Sequence, residues 1–204
     1  PDKERTMNTY LGATEFLTDI DIDEELIAQS EWLYLEGYRF DGQKSKEAFY
    51  KAIEIARKNN TKIAITLSDS FCVDRHRSDF IYLMNRSADM VFCNEDELKS
   101  LYQIPDIQKA QEFIADSISC LACTCAGKGA YLFHGKSTRQ IATNKVSVVD
   151  TTGAGDSFAA GFLYGLSKNF TFDKCATVGN VIAGEVLKVY GPRVEKSLKN
   201  VFMS

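Results

Sequence analysis

Short apolar runs alternate with amphipathic stretches along most of the chain. Runs rich in apolar and β-branched residues predict strands at 32–35, 62–67, 89–93, 120–123 and 130–134, with shorter ones at 141–142 and 146–149. Apolar residues at helical spacing predict helices at 46–57, 79–84, 95–102, 107–114, 157–166 and 172–189. Strands that are apolar throughout and separated by helices are typical of a parallel sheet buried between two helical layers. We therefore expect an α/β fold with three α/β/α layers around a mainly parallel sheet.

Polar clusters follow three of the predicted strands, at 94–97, 124–129 and 152–156. In an open parallel sheet, ligands bind at the carboxyl ends of the strands. Because these ends share one edge of the sheet, we expect the three clusters to converge on one binding site.

The cluster with the most specific sequence is the segment from Asp150 to Asp156, which reads DTTGAGD. A glycine turn between the strand predicted at 146–149 and the following helix leaves backbone N–H groups at the helix N-terminus, where they and the helix dipole bind anions. A carboxylate there would repel a phosphate, which gives Asp156 a different role. It is expected to act as the general base for a hydroxyl that attacks a phosphoryl group. The alternative is a tight turn in which Asp156 is only an acidic residue of the first helical turn.

Composition and charge narrow the class of protein. The chain has 204 residues, of which 45% are hydrophobic and 25% charged, as in an ordinary soluble globular protein with one sizeable core. The net charge of −4 argues against nucleic acid or an anionic membrane surface as the main partner. No apolar run approaches the length of a membrane span, and the first residues do not resemble a signal peptide.

The six cysteines admit a second hypothesis, because Cys120 and Cys123 have the CxxC spacing of metal and redox sites. The segment around them also predicts a buried strand, in which free cysteine packs as a small apolar residue. We favour the buried strand, since the chain has only two histidines and no second CxxC. A zinc or redox domain remains the weaker hypothesis. Free cysteines in this number indicate a reducing cytoplasm.

The DTTGAGD segment and the SFAAGF sequence that follows it resemble the C-terminal signature of the ribokinase-type (PfkB) carbohydrate kinases, which include adenosine-kinase-like members. Other segments resemble family motifs in the same order along the chain. These are Glu4-Arg5-Thr6-Met7 (the segment leading out of the sugar lid), 34–38 (the strand end that follows), Asn94-Glu95-Asp96-Glu97 (the NxxE motif) and 124–130 (the nucleotide-binding stretch). The resemblance covers nearly the whole chain.

This resemblance implies ATP-dependent phosphorylation of a hydroxymethyl group on a sugar or nucleoside, with Mg²⁺. It implies that Asp156 is the base that contacts the acceptor, and that Gly153, Ala154, Gly155 and the Asp156 backbone form the anion hole for the transferred group. The other implied roles are phosphate and metal positioning by Asn94, magnesium binding through water by Glu97, nucleotide contacts from Thr124, Gly127 and Gly129, an adenine contact from Asn180, an acceptor contact from Glu36, and a monovalent cation such as K⁺ held near Asp150 and Thr152.

Several of these residues also have purely structural interpretations. Asn94 and Glu97 match a capping box at the start of a helix. The residues 127–129 match a plain hairpin turn, and Asn180 matches a polar residue on a solvated helix face. Val189 and Glu195 depart from the ribokinase pattern, which weakens the expectation of potassium activation.

The chain has no counterpart of the family's first strands, its early glycine pair or most of its lid. We therefore expect residues 1–15 to be a remnant of the lid-to-core segment and residues 16–204 to form the core with the nucleotide and phosphoryl-transfer site. The leading hypothesis is a kinase observed without its N-terminal third, and the alternative is a non-catalytic nucleotide-binding or truncated remnant. Family members often dimerise through lid strands and an open sheet edge favours association, so a homodimer is a further expectation.

Overall fold

The computed structural model describes residues 8, 10–114, 118–195, 197 and 198. Its strands are β1 (Trp32–Glu36), β2 (Lys62–Thr66), β3 (Met90–Asn94), β4 (Cys120–Thr124), β5 (Ala130–His134) and β6 (Ser137–Ile141). Its α-helices are α1 (Glu24–Gln29), α2 (Gln43–Lys58), α3 (Ser70–Arg86), α4 (Glu95–Tyr102), α5 (Ala154–Ser167) and α6 (Phe172–Val186). Turns of 3₁₀ helix lie at Gly12–Phe16, Asp19–Asp21, Gly37–Asp41, Ile107–Glu112 and Ala126–Lys128.

The strands of the described residues form one sheet in the order β1-β2-β3-β4-β5-β6, with helices on both sides. The pairs β1–β2 and β2–β3 are parallel, with Leu33 opposite Ile63 and Ile65 opposite Val91. The connections at 125–129 and 135–136 are far shorter than a parallel crossover needs, so β4, β5 and β6 are joined as hairpins. The predicted α/β fold with a mainly parallel sheet is confirmed.

The chain divides into two compact units. The first, which we call the N-terminal unit, runs to Leu121 and includes Phe133–Ser137. Its core contains the three middle residues of β2, the first four residues of β3 and the buried apolar residues of α2 and α3. Phe80 of α3 is fully buried, and its ring centroid lies 5.3 Å from that of Phe40, just after β1.

The second, the C-terminal unit, contains residues 122–132 and the chain from Thr138 onward. Its core is the contact between α5 and α6, where glycines let the two helix backbones approach closely. A Cβ atom on Gly161 would lie 2.9 Å from the Cα of Gly179, and one on Gly179 would lie 2.8 Å from the carbonyl oxygen of Phe158. Phe158 and Phe162 are buried beside this contact.

Two helices differ from their predictions by more than a few end residues, and α1 was not predicted. The helix predicted at 79–84 is the end of the longer α3, which has a non-helical backbone at His76. Its first half is a short apolar run, Phe71-Cys72-Val73, followed by charged residues, and this mixed sequence lacks helical periodicity, which is why the sequence pattern missed it. The helix predicted at 107–114 is a 3₁₀ turn, Ile107–Glu112. None of the helices in the described part of the chain is long and apolar enough to cross a membrane.

The strand predicted at 141–142 overlaps only the last residue of the observed β6, and the strand predicted at 146–149 was wrong. The observed strand there, β6, is exposed on nearly all its residues, so it has no apolar signal. Residues 146–149 form no regular element in the structure, although Val146 and Val148 are half-buried. The run is apolar because it packs on α6, where a Cβ on Gly184 would lie 3.6 Å from Val146, and not because it pairs with a strand.

All six cysteines are free and buried. Cys120 and Cys123 lie within β4, and both are inaccessible to solvent. Within the residues that the structure describes, no group of three or more His, Cys, Asp or Glu side chains is arranged to hold a metal ion. The prediction that this segment is a buried strand is confirmed.

Candidate active site

The turn before α5 is held by the carboxylate of Asp150. Its Oδ1 accepts hydrogen bonds from the Thr152 backbone N–H at 2.9 Å and the Thr152 hydroxyl at 2.7 Å. Its Oδ2 accepts a third, at 2.8 Å, from the backbone N–H of Gly191. Asp150 therefore ties the turn to the loop that follows α6. Binding of a monovalent cation near Asp150 and Thr152 stays a prediction.

Gly153 is the N-cap of α5 and has a left-handed backbone with φ of +77°. A side chain is strained in that conformation, and a Cβ atom there would lie 2.5 Å from the Cβ of Pro192. By contrast, a Cβ on Gly155 would meet nothing within 4 Å. The Ala154 N–H donates to the carbonyl oxygen of Thr151 at 3.3 Å. The open part of the helix N-terminus is therefore at Gly155 and Asp156, both exposed in the first turn.

The sequence predicted a strand directly before this turn, but in the structure residues 146–149 are not a strand and the turn is held by contacts at the C-terminal end of α6. The Val149 N–H donates to the carbonyl oxygen of Leu187 at 2.7 Å, just beyond the end of α6. With the bond from Gly191 to Asp150, this contact fastens the turn to the C-terminal end of α6 and the loop after it.

The predicted nucleotide loop begins at Thr124, the half-buried last residue of β4. It continues as the 3₁₀ turn Ala126–Lys128 and ends at Gly129, which is buried and has φ of +89°. A Cβ on Gly129 would overlap the carbonyl oxygen of Ile141, whereas one on Gly127 would meet nothing within 4 Å. The loop is therefore more constrained than the plain hairpin turn that was its alternative interpretation, and Gly127 is its open position.

Asn180 lies on α6 and is only 8% exposed, so its interpretation as a residue on a solvated helix face was wrong. Its side-chain Nδ2 donates to the carbonyl oxygens of Ile141 and Ala142, at 3.1 and 3.3 Å. Its predicted contact with adenine remains untested.

In the N-terminal unit, Asn94 and Glu97 form a complete capping box at the start of α4. The Glu97 N–H donates to Asn94 Oδ1 at 2.9 Å, and the Asn94 N–H donates to Glu97 Oε2 at 3.0 Å. The Asn94 side-chain amide also donates to Glu97 Oε1 at 2.6 Å. The capping interpretation is confirmed. It leaves the functional role open, because a capped carboxylate can still accept hydrogen bonds from the waters around a metal.

Glu97 is buried among other negative charges. Its pKa is raised to about 7, first by burial and further by the charges of Asp69, Asp96 and Glu36, while the hydrogen bond from the Asn94 backbone lowers it. Glu36 is the last residue of β1, so this unit brings two predicted site residues into electrostatic contact. Asp69 was missed by the sequence analysis. It caps α3, accepting from the Cys72 N–H at 2.6 Å, and the mixed sequence at the start of that helix hid the signal.

The raised pKa of Glu97 makes stability depend on pH. Below pH 4.5 the carboxyl is protonated in both states, and between 4.5 and about 7 the unfolded chain loses the proton while the folded chain keeps it. Stability from this group is thus complete below pH 4.5 and is lost as pH rises through about 7. The total change is about 3 kcal/mol. Urea unfolding from pH 4.5 to 8 should show Glu97→Gln gaining that amount over the wild type.

Glu54→Gln, at an exposed position on α2, is the matched control and should follow the wild-type curve. Parallel pH dependences of the unfolding free energy for wild type and Glu97→Gln would contradict the raised pKa of Glu97.

The segment Glu4-Arg5-Thr6-Met7, predicted to lead out of the lid, lies outside the described residues.

Comparison with known proteins identifies the family and fold that the chain resembles. The family model described as pfkB family carbohydrate kinase matches residues 1–198. The crystal structure of adenosine kinase from Sinorhizobium meliloti is 40% identical with a TM-score of 0.94, and the match covers 98% of this chain and 62% of that one. An E. coli protein described as a candidate ribokinase II, in complex with ATP and Mg²⁺, is 18% identical with a TM-score of 0.79 over 87% of this chain and 58% of that one, which shows a shared fold.

A curated relative, the 5-dehydro-2-deoxygluconokinase of Listeria monocytogenes, is 29% identical over 180 residues, which are 84% of this chain and 55% of that protein. The chain therefore spans little more than half the length of these relatives. The three-layer fold predicted from the sequence is the ribokinase-like fold of the structural neighbours. The turn from Asp150 to Asp156, the glycine loop after β4 and the match to the family model together place the chain in the pfkB family of carbohydrate kinases.

Proposed function

We propose that the protein containing this chain transfers the γ-phosphate of ATP to a hydroxymethyl group of a sugar or nucleoside. The observation that carries the proposal is the start of α5, where an exposed carboxylate, Asp156, lies next to an open glycine, Gly155, at the positive end of a helix. An anion site and a base side by side are what phosphoryl transfer to an alcohol requires.

In the proposed reaction the Asp156 carboxylate takes the proton of the acceptor hydroxyl. The hydroxyl oxygen attacks the γ-phosphorus, and the bond from that phosphorus to the β,γ-bridging oxygen breaks, so that ADP leaves. The backbone N–H groups of Gly155 and Asp156 and the dipole of α5 stabilise charge on the transferred group. Asp150 keeps this turn in place through its three hydrogen bonds.

For the nucleotide, Thr124, Gly127, Gly129 and Asn180 are the proposed contacts or supports, and all four lie in the same C-terminal unit as the base. Gly127, with free space around it, can admit a ligand close to the backbone.

For the metal, the carboxyl of Glu97 fits Mg²⁺ on its chemistry, since it lies among the charges of Asp69, Asp96 and Glu36, which a divalent cation would offset. Magnesium keeps several waters and is bound by one or two carboxylates together with substrate phosphates, so Glu97 with Asn94 beside it would hold the ion through water. The ion would neutralise phosphate charge.

A non-catalytic nucleotide-binding role is the second candidate. It is favoured by one observation, that the Ala154 N–H, predicted to be part of the anion hole, already donates to the carbonyl oxygen of Thr151. The two candidates differ in whether ADP release depends on an acceptor.

The test is to incubate the protein with ATP and Mg²⁺ and to measure ADP release with a panel of sugars and nucleosides. Adenosine and 5-dehydro-2-deoxygluconate head the panel, because proteins similar to this chain are named for them. Release that requires one acceptor supports the kinase. ATP binding without acceptor-dependent release supports the non-catalytic role, and absence of ATP binding refutes both. Measuring ADP release with K⁺ replaced by Na⁺ tests the predicted monovalent cation, which should make the rate higher with K⁺. Measuring the molar mass by light scattering tests the predicted homodimer.

Gly155→Ala separates ligand approach from folding. Alanine is better than glycine inside a helix by about 1 kcal/mol, and the added methyl meets nothing in the folded chain. We therefore expect unchanged or higher stability in urea unfolding, but a kcat/KM at least about tenfold lower, because the methyl occupies the space of the phosphoryl group. Gly184→Ala on α6, where a methyl makes an ordinary contact with Val146, is the control. Full activity in Gly155→Ala would remove Gly155 from the anion hole.

A further inference from the structure

The side-chain amide of Asn180 is hydrogen-bonded to the backbone at the end of β6. Its Nδ2 donates to the carbonyl oxygens of Ile141 and Ala142, and the residue is 8% exposed. Leaving a buried polar group unpaired costs more free energy than a hydrogen bond contributes. These two hydrogen bonds therefore fix the position of the Asn180 side chain against residues 141–142.

The backbone that Asn180 holds lies directly against the glycine loop. A Cβ on Gly129 would overlap the Ile141 carbonyl oxygen and would lie 2.9 Å from the Thr143 nitrogen. The side chain of Gln140 adds a second tie, donating to the carbonyl oxygen of Lys128 at 3.0 Å. A shift of residues 141–143 would therefore change the position of Gly129 and of the loop 126–129.

The helix that carries Asn180 is closely packed against α5. The neighbouring residue Gly179 lies so close to Phe158 of α5 that a Cβ would be 2.8 Å from the Phe158 carbonyl oxygen. α6 is therefore pressed against the helix that carries Asp156, and the position of Asn180 is set by a backbone contact instead of a flexible side chain.

We propose that Asn180 is a positioning residue of the nucleotide site, which acts through Ile141 and Ala142 to hold the loop 126–129, and that it does not read the base. The inference rests on the proposed function, since it takes the loop to be the nucleotide loop. A residue that reads adenine changes the preference between nucleobases when it is replaced. A residue that holds the loop changes the affinity for every nucleotide by a common factor.

The experiment compares the wild type with Asn180→Ala, Asn180→Asp and the control Thr177→Ala. Asn180→Ala removes both hydrogen bonds, and Asn180→Asp replaces the donor with a carboxylate facing two carbonyl oxygens. Thr177 is exposed on the same helix, where its hydroxyl bonds only to the Asp173 carbonyl oxygen. ATP and GTP affinities are measured by calorimetry, and hydrogen exchange of the 126–129 and 141–143 segments is measured without nucleotide.

We expect both Asn180 variants to lose about tenfold in affinity for ATP and for GTP, with the ATP-to-GTP ratio unchanged within about twofold. Exchange in both segments should accelerate, more in Asn180→Asp, and Thr177→Ala should match the wild type. Should Asn180→Asp fail to fold, Asn180→Ala, which adds no charge, provides the comparison. A changed ATP-to-GTP ratio with unchanged exchange would overturn the inference and show a direct base contact. Unchanged affinities would also overturn it. A wild-type protein that binds neither nucleotide would instead refute the proposed function, and the inference with it.

Discussion

Replacing Asp156 by asparagine is expected to lower kcat about 10³-fold while the ATP affinity changes by less than about threefold. Asparagine has nearly the same size and keeps the backbone N–H groups of the α5 turn, so the anion site survives. It cannot accept the proton of the acceptor hydroxyl, which is the role we propose for this carboxylate. Steady-state ADP release with saturating acceptor measures kcat, and calorimetry with ATP measures binding.

Asp173→Asn is the matched control, because Asp173 is also an acidic residue in the first turn of a helix, α6, and is paired at the surface with Arg139. It should retain wild-type turnover. If Asp156→Asn retained near-normal turnover as well, Asp156 would be only a first-turn acid and the proposed mechanism would fail. Loss of both turnover and ATP binding would show that the carboxylate shapes the turn instead of acting as the base.

Replacing Gly129 by alanine is expected to destabilise the C-terminal unit by about 3 kcal/mol, from the strained backbone and the overlap with Ile141 together. Gly129 has φ of +89° and ψ of −134°, a region that side chains avoid, and the atoms that a methyl would meet are backbone atoms of 141–143. Relief requires β6 and the loop to separate, so ATP binding should be lost at temperatures where the chain is still folded. Urea unfolding and calorimetry provide the two measurements.

Gly127→Ala in the same loop is the matched substitution, because a methyl there meets nothing within 4 Å. Its unfolding free energy should lie within about 0.5 kcal/mol of the wild type. Any loss of ATP affinity in Gly127→Ala then reports direct contact with the ligand. Equal stability of the two variants would mean that the contact between Gly129 and Ile141 does not constrain the loop.

The central strands could be predicted from the sequence because burial on both faces of the sheet leaves an uninterrupted apolar run. Helix α4 could be predicted because residues typical of helix ends stand at its start. The three middle residues of β2 and the first four of β3 are buried, and Glu95–Tyr102 is bounded by a capping residue before it and a left-handed Gln103 after it. In both cases the local sequence and the tertiary environment favour the same structure.

Other elements could not be predicted because their signals come from tertiary contacts. β6 is a polar strand held by its pairing with β5, and residues 146–149 are apolar because they pack on a helix. The start of α3 depends on one capping residue, Asp69, followed by a mixed sequence. Hydrophobic periodicity reports burial, and it fails where burial and secondary structure do not coincide.

The candidate site divides in the same way. The DTTGAGD turn was evident because glycine and carboxylate at that spacing have few structural uses. The hydrogen bond from Gly191 to Asp150 and the two from Asn180 to 141–142 join positions roughly forty residues apart, and no local pattern encodes them. The charge of Asp69 beside Glu97 was hidden for the same reason.

The burial of every cysteine has a practical consequence. At neutral pH the thiol of Cys72, whose pKa is raised to about 12 by burial and nearby carboxylates, and that of Cys175, raised to about 11 by burial, are almost entirely protonated. A thiol-reactive dye can therefore label the folded chain only through opening fluctuations. Cys72, Cys93 and Cys120 lie in the N-terminal unit, and Cys123, Cys125 and Cys175 lie in the C-terminal unit. Site-resolved labelling rates can thus give an opening free energy for each unit, with no probe introduced into the chain.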